Sequence, residues 1–288
     1  MKKLDISKIG TLIDLAVDED FGGGDPTSVI TIPADDVARA TLVSREEIVV
    51  CGMGVVEEVL ARYDNRLKLK IMKQDGSRAG VADKLAVIEG PLRSMLSAER
   101  VALNFLQRLC GIATTTHKYV LAIRGTKSRI YDTRKTTPGW RELEKYAVRC
   151  GGGYNHRYNL SEAVMIKDNH LMQLGKNFRS KLEKLVALAH EIKGVKFVCV
   201  EVDSIDDQLD VVMRIPGVDI ILLDNMGQRQ YKHAVELRNK MCGSKPLLEA
   251  SGGITLNNVR QVAQCGVDRI SVGAITHGAV SVDIGLDR

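Results

Sequence analysis

A chain of 288 residues with 44% hydrophobic and only 4% aromatic side chains is too long for one average compact domain and too rich in Val, Ile, Leu and Ala for disorder. An α/β barrel of about 250 residues or fewer beside a smaller domain fits that length. The 41 basic and 36 acidic residues leave a net charge of +5 with no dense Lys/Arg tract, which argues against a nucleic-acid partner and suits small anionic substrates.

In the opening MKKLDISKIGTLIDLAVDED, acidic residues interrupt every apolar stretch. Neither a signal-peptide core nor a membrane span is expected, and the cytosol is the expected compartment. Ile6, Ile9, Ile13 and Ala16 at near-helical spacing predict a helix over 6–20, stopped by Gly22-Gly23-Gly24. Strand-like segments at 37–44, 47–50, 67–72 and 84–88 around a helix near 53–63 predict a small α+β domain. In SAERVALNFLQRLCG (97–111), Ala98, Val101, Ala102, Phe105, Leu106 and Leu109 share one helical face and Arg100, Asn104 and Gln107 another.

From about residue 128, β-branched runs alternate with helical stretches: SRIYDT, AVMIKD, KFVCVEVD, VDIILLD, PLLEASG and DRISVGA. The last four begin about two dozen residues apart, one strand and one helix per repeat. With no GxGxxG turn, a parallel barrel is expected over a doubly wound sheet, and six clear strands make it incomplete. The six cysteines, Cys51, Cys110, Cys150, Cys199, Cys242 and Cys265, stand 23 residues or more apart, which excludes CxxC motifs and reads as free thiols.

Functional groups of such barrels sit at the carboxyl ends of the strands. Arg134, Lys135, His156, Arg157 and Lys167 form the densest cationic set. Each alone reads as a surface charge, but guanidinium and ammonium groups converging from strand ends suit two adjacent carboxylates. Gly151-Gly152-Gly153 follow a helix expected to start with Thr137 as N-cap and Pro138 at its first position. They read as a C-terminal cap, with close backbone approach to a ligand as a second role. Glu201 and Asp224 end consecutive strands and suit Mg²⁺, the other reading being an ion network with Lys135 or Lys167; Asp203 is a weaker third ligand. Ser251-Gly252-Gly253, entering a helix expected from Thr255, reads as a phosphate cradle completed by Gly273-Ala274. His277 is a lone histidine, and Arg100 taken by itself reads as solvated surface.

These motifs resemble the quinolinate phosphoribosyltransferase family over essentially the whole chain: DEDFGGGDPTS, ERVALNFLQRLCGIATTT, DTRKTTPGWRELEKYAVRCGGGYNHRYNL, EAVMIKDNH, VEVD, LLDNM, EASGGI and GVDRISVGAITH. The stretch Asp132 to His170 is the most specific. The resemblance implies an N-terminal open α/β sandwich over 1–112, joined by the tail 277–288, and an incomplete barrel of about six to seven strands over 113–276. It implies decarboxylating transfer of phosphoribose from phosphoribosyl pyrophosphate to quinolinate. It also implies a homodimer or higher oligomer in which Arg100 is donated to the neighbouring site. Arg134, His156, Arg157 and Lys167 would bind quinolinate. Lys135, Glu201, Asp224, Ser251, Gly252, Gly273 and His277 would attend phosphoribosyl pyrophosphate and Mg²⁺, with Lys135, Lys167, Glu201 and Asp224 carrying catalysis. Cys110, Trp140 and Gly278 depart from the commonest family pattern without removing a charge. A paralogous transferase of the same scaffold and a noncatalytic phosphosugar-binding barrel are the alternative readings.

Overall fold

The computed structural model describes residues 4–175, 177–241, 243 and 245–288, except the side chains of 206 and 207. Cys242 lies outside them, and the other five cysteines are free and buried. The chain divides into two compact units, Met1–His117 with Thr136–Gly153 and Ile275–Arg288, and Lys118–Lys135 with Tyr154–Ala274. This places the first division after residue 117 and groups 136–153 with the N-terminal unit, where the sequence led us to expect a boundary at 112/113.

In the first unit the expected helix over 6–20 is interrupted at Ile9. A single 3-10 turn, Ile6–Lys8, precedes α1 (Gly10–Phe21), which ends on the positive-φ Gly22. Helix α2 (Pro26–Thr31) is capped by Asp25, whose carboxylate accepts the Ser28 N–H at 3.0 Å. Then follow β1 (Val37–Ser44), β2 (Ile48–Val49), α3 (Met53–Tyr63), β3 (Lys68–Ile71), β4 (Arg78–Ala79) and β5 (Lys84–Pro91). Strands β1, β5 and β3 and the C-terminal strand Ile284–Asp287 form a four-stranded antiparallel sheet, with the C-terminal strand on the outer side of β1.

Helix α4 (Leu92–Ala122) is twice as long as its sequence pattern marks. Ala98, Val101, Ala102, Phe105, Leu106 and Leu109 are all buried, as the periodicity requires. The polar face splits in two. Arg100 and Asn104 stay exposed, whereas the Gln107 amide donates to the Ile284 carbonyl at 2.9 Å and the Gln107 carbonyl accepts from Val282, anchoring the C-terminal segment.

Helix α5 (Arg141–Cys150) starts later than Thr137 suggests, with Trp140 at its N-cap. Thr137 instead donates its hydroxyl to buried Glu144 at 2.9 Å, folding the preceding turn back onto the helix, while Trp140 stacks on Phe105 at 4.8 Å between centroids. Packing and backbone geometry account for the three glycines that follow. A Cβ on Gly151 would stand 2.3 Å from the Ala113 carbonyl, and one on Gly153 would stand 2.8 Å from Thr116, both on α4. Gly152 takes the left-handed cap at φ 88°.

The second unit is a six-stranded, all-parallel sheet in the order β6 (Arg129–Tyr131), β11 (Arg269–Ser271), β10 (Leu247–Ser251), β9 (Ile220–Asp224), β8 (Val198–Val202) and β7 (Val164–Ile166). All six coincide with the expected strands. Helices α6 (Asp168–Met172), α7 (Phe178–Glu191), α8 (Asp210–Met213), α9 (Gln228–Met241) and α10 (Val259–Gln264) lie between them in the chain, as parallel pairing demands. No pairing joins β6 to β7 among the described residues, so the barrel is incomplete. No described helix is long and apolar enough to cross a membrane.

Gly151→Ala should force α5 and α4 apart. We expect a loss of about 1–3 kcal/mol from overpacking, seen as a lower midpoint in thermal or urea unfolding, whereas Gly23→Ala, with nothing within 4 Å of its Cβ and no left-handed backbone, should lose less.

Candidate active site

Strand register decides which side chains share the inner face, because residues paired across parallel strands point the same way. Met165 on β7 pairs with Cys199 on β8, and Cys199 pairs with Ile220 on β9. These residues, with Leu222, Phe197 and Leu247, form an apolar cluster. One pleat further on, the same face turns polar: Glu201 is opposite Leu222, Glu249 opposite Arg269, and Arg269 opposite Arg129. Asp224 and Ser251, themselves paired, end the face at the carboxyl edge.

Glu249 is the centre of the polar layer. It is fully buried and receives the Arg269 guanidinium at 2.5 Å and the Ser271 hydroxyl, with His156 Nε2 at 3.3 Å. Burial opposes its ionisation, but His156, Arg269 and Ser271 together outweigh burial and hold the carboxyl at about 2, below its ordinary 4.5. Arg269 also lies 3.7 Å over the Tyr131 ring, which uses the guanidinium's flat face.

His156 is held from both sides. Its Nδ1 accepts the Arg157 N–H at 2.8 Å, which assigns the ring proton to Nε2, facing Glu249. Its own N–H donates to buried Asp132 at 2.7 Å, and the Asn155 amide donates to the other Asp132 oxygen. Asp132 thus shapes the segment after Tyr154, whose backbone bridges to Tyr131 at the end of β6. The same segment buries Arg157, which donates to the Ala163 carbonyl at 2.9 Å. Burial first and then the Arg134 charge push the Arg157 ionisation downward, so Arg157 lies within electrostatic reach of a second guanidinium. Two like charges there favour a bound anion.

Lys167, just past β7, pairs with Glu201 at 3.0 Å, so Glu201 is engaged by a lysine, the alternative weighed above for this carboxylate. Asp224 lies on the same inner face, accepts from the Asn225 amide at 2.7 Å and is half-buried; Asp203 is exposed. A cleft of about 340 Å³ opens beyond β7 and β8, lined by Asp168, Leu171, Met172, Phe178, Asp203 and Gln208. Its two carboxylates disfavour an anion.

The SGGI loop differs from expectation. Helix α10 starts at Val259, not Thr255, so the glycines do not enter a helix directly. Asn258 accepts the Thr255 N–H at 2.8 Å and bridges the gap. Gly252, at φ 86°, is required because a Cβ would fall 2.1 Å from the Asn225 side chain. Gly253, at φ 60°, faces open space and can present its backbone to a ligand. Gly273 follows β11 and is half-buried; Lys135, after β6, is exposed. Arg100 and His277 belong to the first unit and are both exposed.

Sequence reasoning missed Asp132, Glu249, Arg269 and Ser271. A charge in mid-strand was the available signal, since LLEAS and DRISV carry Glu and Arg where an apolar residue would ordinarily pack.

A polar inner face with converging cations and carboxylates at the strand ends defines a parallel-barrel enzyme acting on anionic substrates. The Quinolinate phosphoribosyl transferase C-terminal domain model matches residues 112–287 and its N-terminal domain model residues 25–110. The chain belongs to this family. It is 41% identical over 277 residues to a nicotinate-nucleotide pyrophosphorylase [carboxylating] of Mycobacterium leprae, covering 94% of each chain. A probable nicotinate-nucleotide pyrophosphorylase [carboxylating] of Bacillus subtilis is 36% identical over 269 residues, covering 93% of this chain and 89% of that one. The crystal structure of NadC from Streptococcus pyogenes superposes with a TM-score of 0.90 at 36% identity, covering 100% of this chain and 98% of that one.

Because the folded Glu249 carboxyl is depressed, its contribution to stability is fully present above pH 4.5 and is lost as pH falls toward about 2. Glu249→Gln should cost about 3–5 kcal/mol at neutral pH by stranding Arg269. Its urea midpoint should also vary less with pH across that acid window than the wild type does.

Proposed function

We propose that the protein transfers phosphoribose from phosphoribosyl pyrophosphate to quinolinate and decarboxylates the product to nicotinate mononucleotide. The observation that carries this reading is the buried Arg157 beside Arg134, a site for a dicarboxylate on a scaffold whose relatives bear the name of this reaction. Lys167 joins them by exchanging part of its Glu201 contact for a substrate carboxylate.

The guanidinium pair fixes the ring of quinolinate so that its nitrogen faces C1 of the ribose. The C1–N bond forms as the C1–O bond to pyrophosphate breaks, and Lys135 offsets the leaving group's charge. The alkylated ring nitrogen is cationic. Its positive charge stabilises the electron pair left on the adjacent ring carbon when the bond to the 2-carboxylate breaks and CO₂ departs; that carbon then takes a proton from solvent. Asp132, through the His156 backbone, holds the binding segment rigid. The loop at Ser251, Gly252 and Gly253, with Gly273 and His277, receives the 5-phosphate.

Glu201 and Asp224, hard oxygen donors on one face, fit Mg²⁺ with substrate oxygens and water completing the shell. When bound, Mg²⁺ would neutralise the pyrophosphate. A cytosolic location and a homodimer in which Arg100 reaches the neighbouring site complete the reading.

CO₂ release from carboxyl-labelled quinolinate should require both phosphoribosyl pyrophosphate and Mg²⁺. Product from nicotinate instead would point to a paralogous transferase. Arg157→Ala and Lys167→Ala should raise the KM for quinolinate well beyond the KM for phosphoribosyl pyrophosphate, and equal increases would count against the assignment. Mixing Arg100→Ala and Lys167→Ala proteins, each impaired at low quinolinate, should restore part of the activity through hybrid dimers, whereas no recovery would remove Arg100 from the neighbouring site.

A further inference from the structure

In the first unit, three side chains converge without a part in the reaction above. The Sγ atoms of Cys51 and Cys150 and a carboxylate oxygen of Asp75 lie within 4.8 Å of one another. They come from the β2–α3 turn, the loop before β4 and the last residue of α5, so only the tertiary fold assembles them.

Each has an ordinary explanation by itself. Buried thiols pack as small apolar groups, and Asp75 accepts the Gly52 and Met53 amides at 3.0 and 3.1 Å, which caps α3. Neither explanation accounts for the convergence or for the orientation of the carboxylate. The second Asp75 oxygen accepts the Tyr146 hydroxyl at 2.7 Å, so the group is fixed by two amides and a phenol, all of them neutral. Cys51 is fixed as well: its N–H donates to Cys110 Sγ at 3.2 Å, and that thiol donates back to the Cys51 carbonyl at 3.4 Å. A held carboxylate beside two thiols, with supporting hydrogen bonds already made, is the arrangement of a metal site and its outer shell.

We infer that Cys51, Cys150 and Asp75 bind a thiophilic divalent cation of the zinc type as a structural cross-link of the first unit. Zinc–sulfur bonds of about 2.3 Å in a tetrahedron put the donors roughly 3.8 Å apart, so side-chain movements of about 1 Å close the site. Cys110 is occupied at the Cys51 backbone, which leaves the fourth position to water. Each thiol loses its proton to solvent on binding, and the two thiolates and the carboxylate surround the ion. A disulfide between the same cysteines is the less favoured outcome. Asp75, fixed by the Gly52 and Met53 amides beside the two sulfurs, supplies a hard donor for which a disulfide has no use. Bound there, the ion ties the end of α5 to the start of α3, and the link acts on stability instead of turnover.

The test uses the full-length protein purified without chelator. Its metal content is measured, and the ion is then exchanged for Co²⁺. We expect one thiophilic ion per chain, a thiolate-to-cobalt charge-transfer band with the visible spectrum of a four-coordinate site, and a thermal midpoint that falls on chelation. The band should disappear in Cys150→Ser, weaken in Asp75→Asn and persist in Cys199→Ser. The wild-type reading needs no variant, so misfolding of a variant cannot mask the result. Absence of both ion and charge-transfer band in the wild type, survival of the band in a Cys51→Ser/Cys150→Ser protein, or a Cys51–Cys150 disulfide in the protein as purified would each overturn the inference.

Discussion

Glu249 sits in the middle of a barrel strand, fully buried, and its negative charge must be answered within a layer a few ångströms thick. The answer comes from Arg269 and Ser271 on the adjacent β11 and from His156 on the segment after Tyr154. A charge buried without partners costs several kcal/mol, so these groups are constrained together. Each then fixes something else. Arg269 lies flat on Tyr131, and His156, clamped by Glu249 and by Asp132, sets the path that buries Arg157. Arg157 is therefore held in place through a layer of charges around Glu249.

The inner face of the barrel is stratified. Met165, Cys199, Ile220 and Leu247 make an apolar floor, Glu201, Leu222, Glu249 and Arg269 form the next row, with Lys167 paired to Glu201, and Asp224 and Ser251 stand at the carboxyl edge. The order follows from the two-residue period of the strands, since every second residue returns to the same face one level higher. The Lys167–Glu201 pair keeps two opposite charges satisfied in the row below that edge.

The first unit obeys a different constraint, close approach of helices. Gly151 and Gly153 let α5 press against α4, and Gln107 and Arg108 on α4 receive the carbonyls and amides of the C-terminal segment. Three glycines in a row invite a ligand-binding interpretation, and here their reason is steric. The SGGI loop repeats the lesson in part: Gly252 is demanded by Asn225, and only Gly253 has free space before it.

The sequence by itself determined the element types and most of the site's cast. The six parallel strands are visible as β-branched runs at a regular interval, α3 is found at its full length, and the strand-end residues Arg134, Lys167, Glu201, Asp224 and Ser251 are marked by polarity following an apolar run. Such local patterns survive because each strand or helix face must meet the same burial condition whatever its neighbours are. Helix limits were less legible: Thr137 and Thr255 have capping chemistry, yet the nearby Glu144 and Asn258 bond the Thr137 hydroxyl and the Thr255 N–H in turns ahead of the helices. What only the tertiary structure decided are the pairings across long separations: Glu249 with Arg269 and His156, Asp132 with the segment after Tyr154, and Cys51 with Asp75 and Cys150. The physical reason is that a charge or thiol takes its meaning from neighbours brought within a few ångströms by strand register and helix packing, and neither is written in the spacing of residues along one segment.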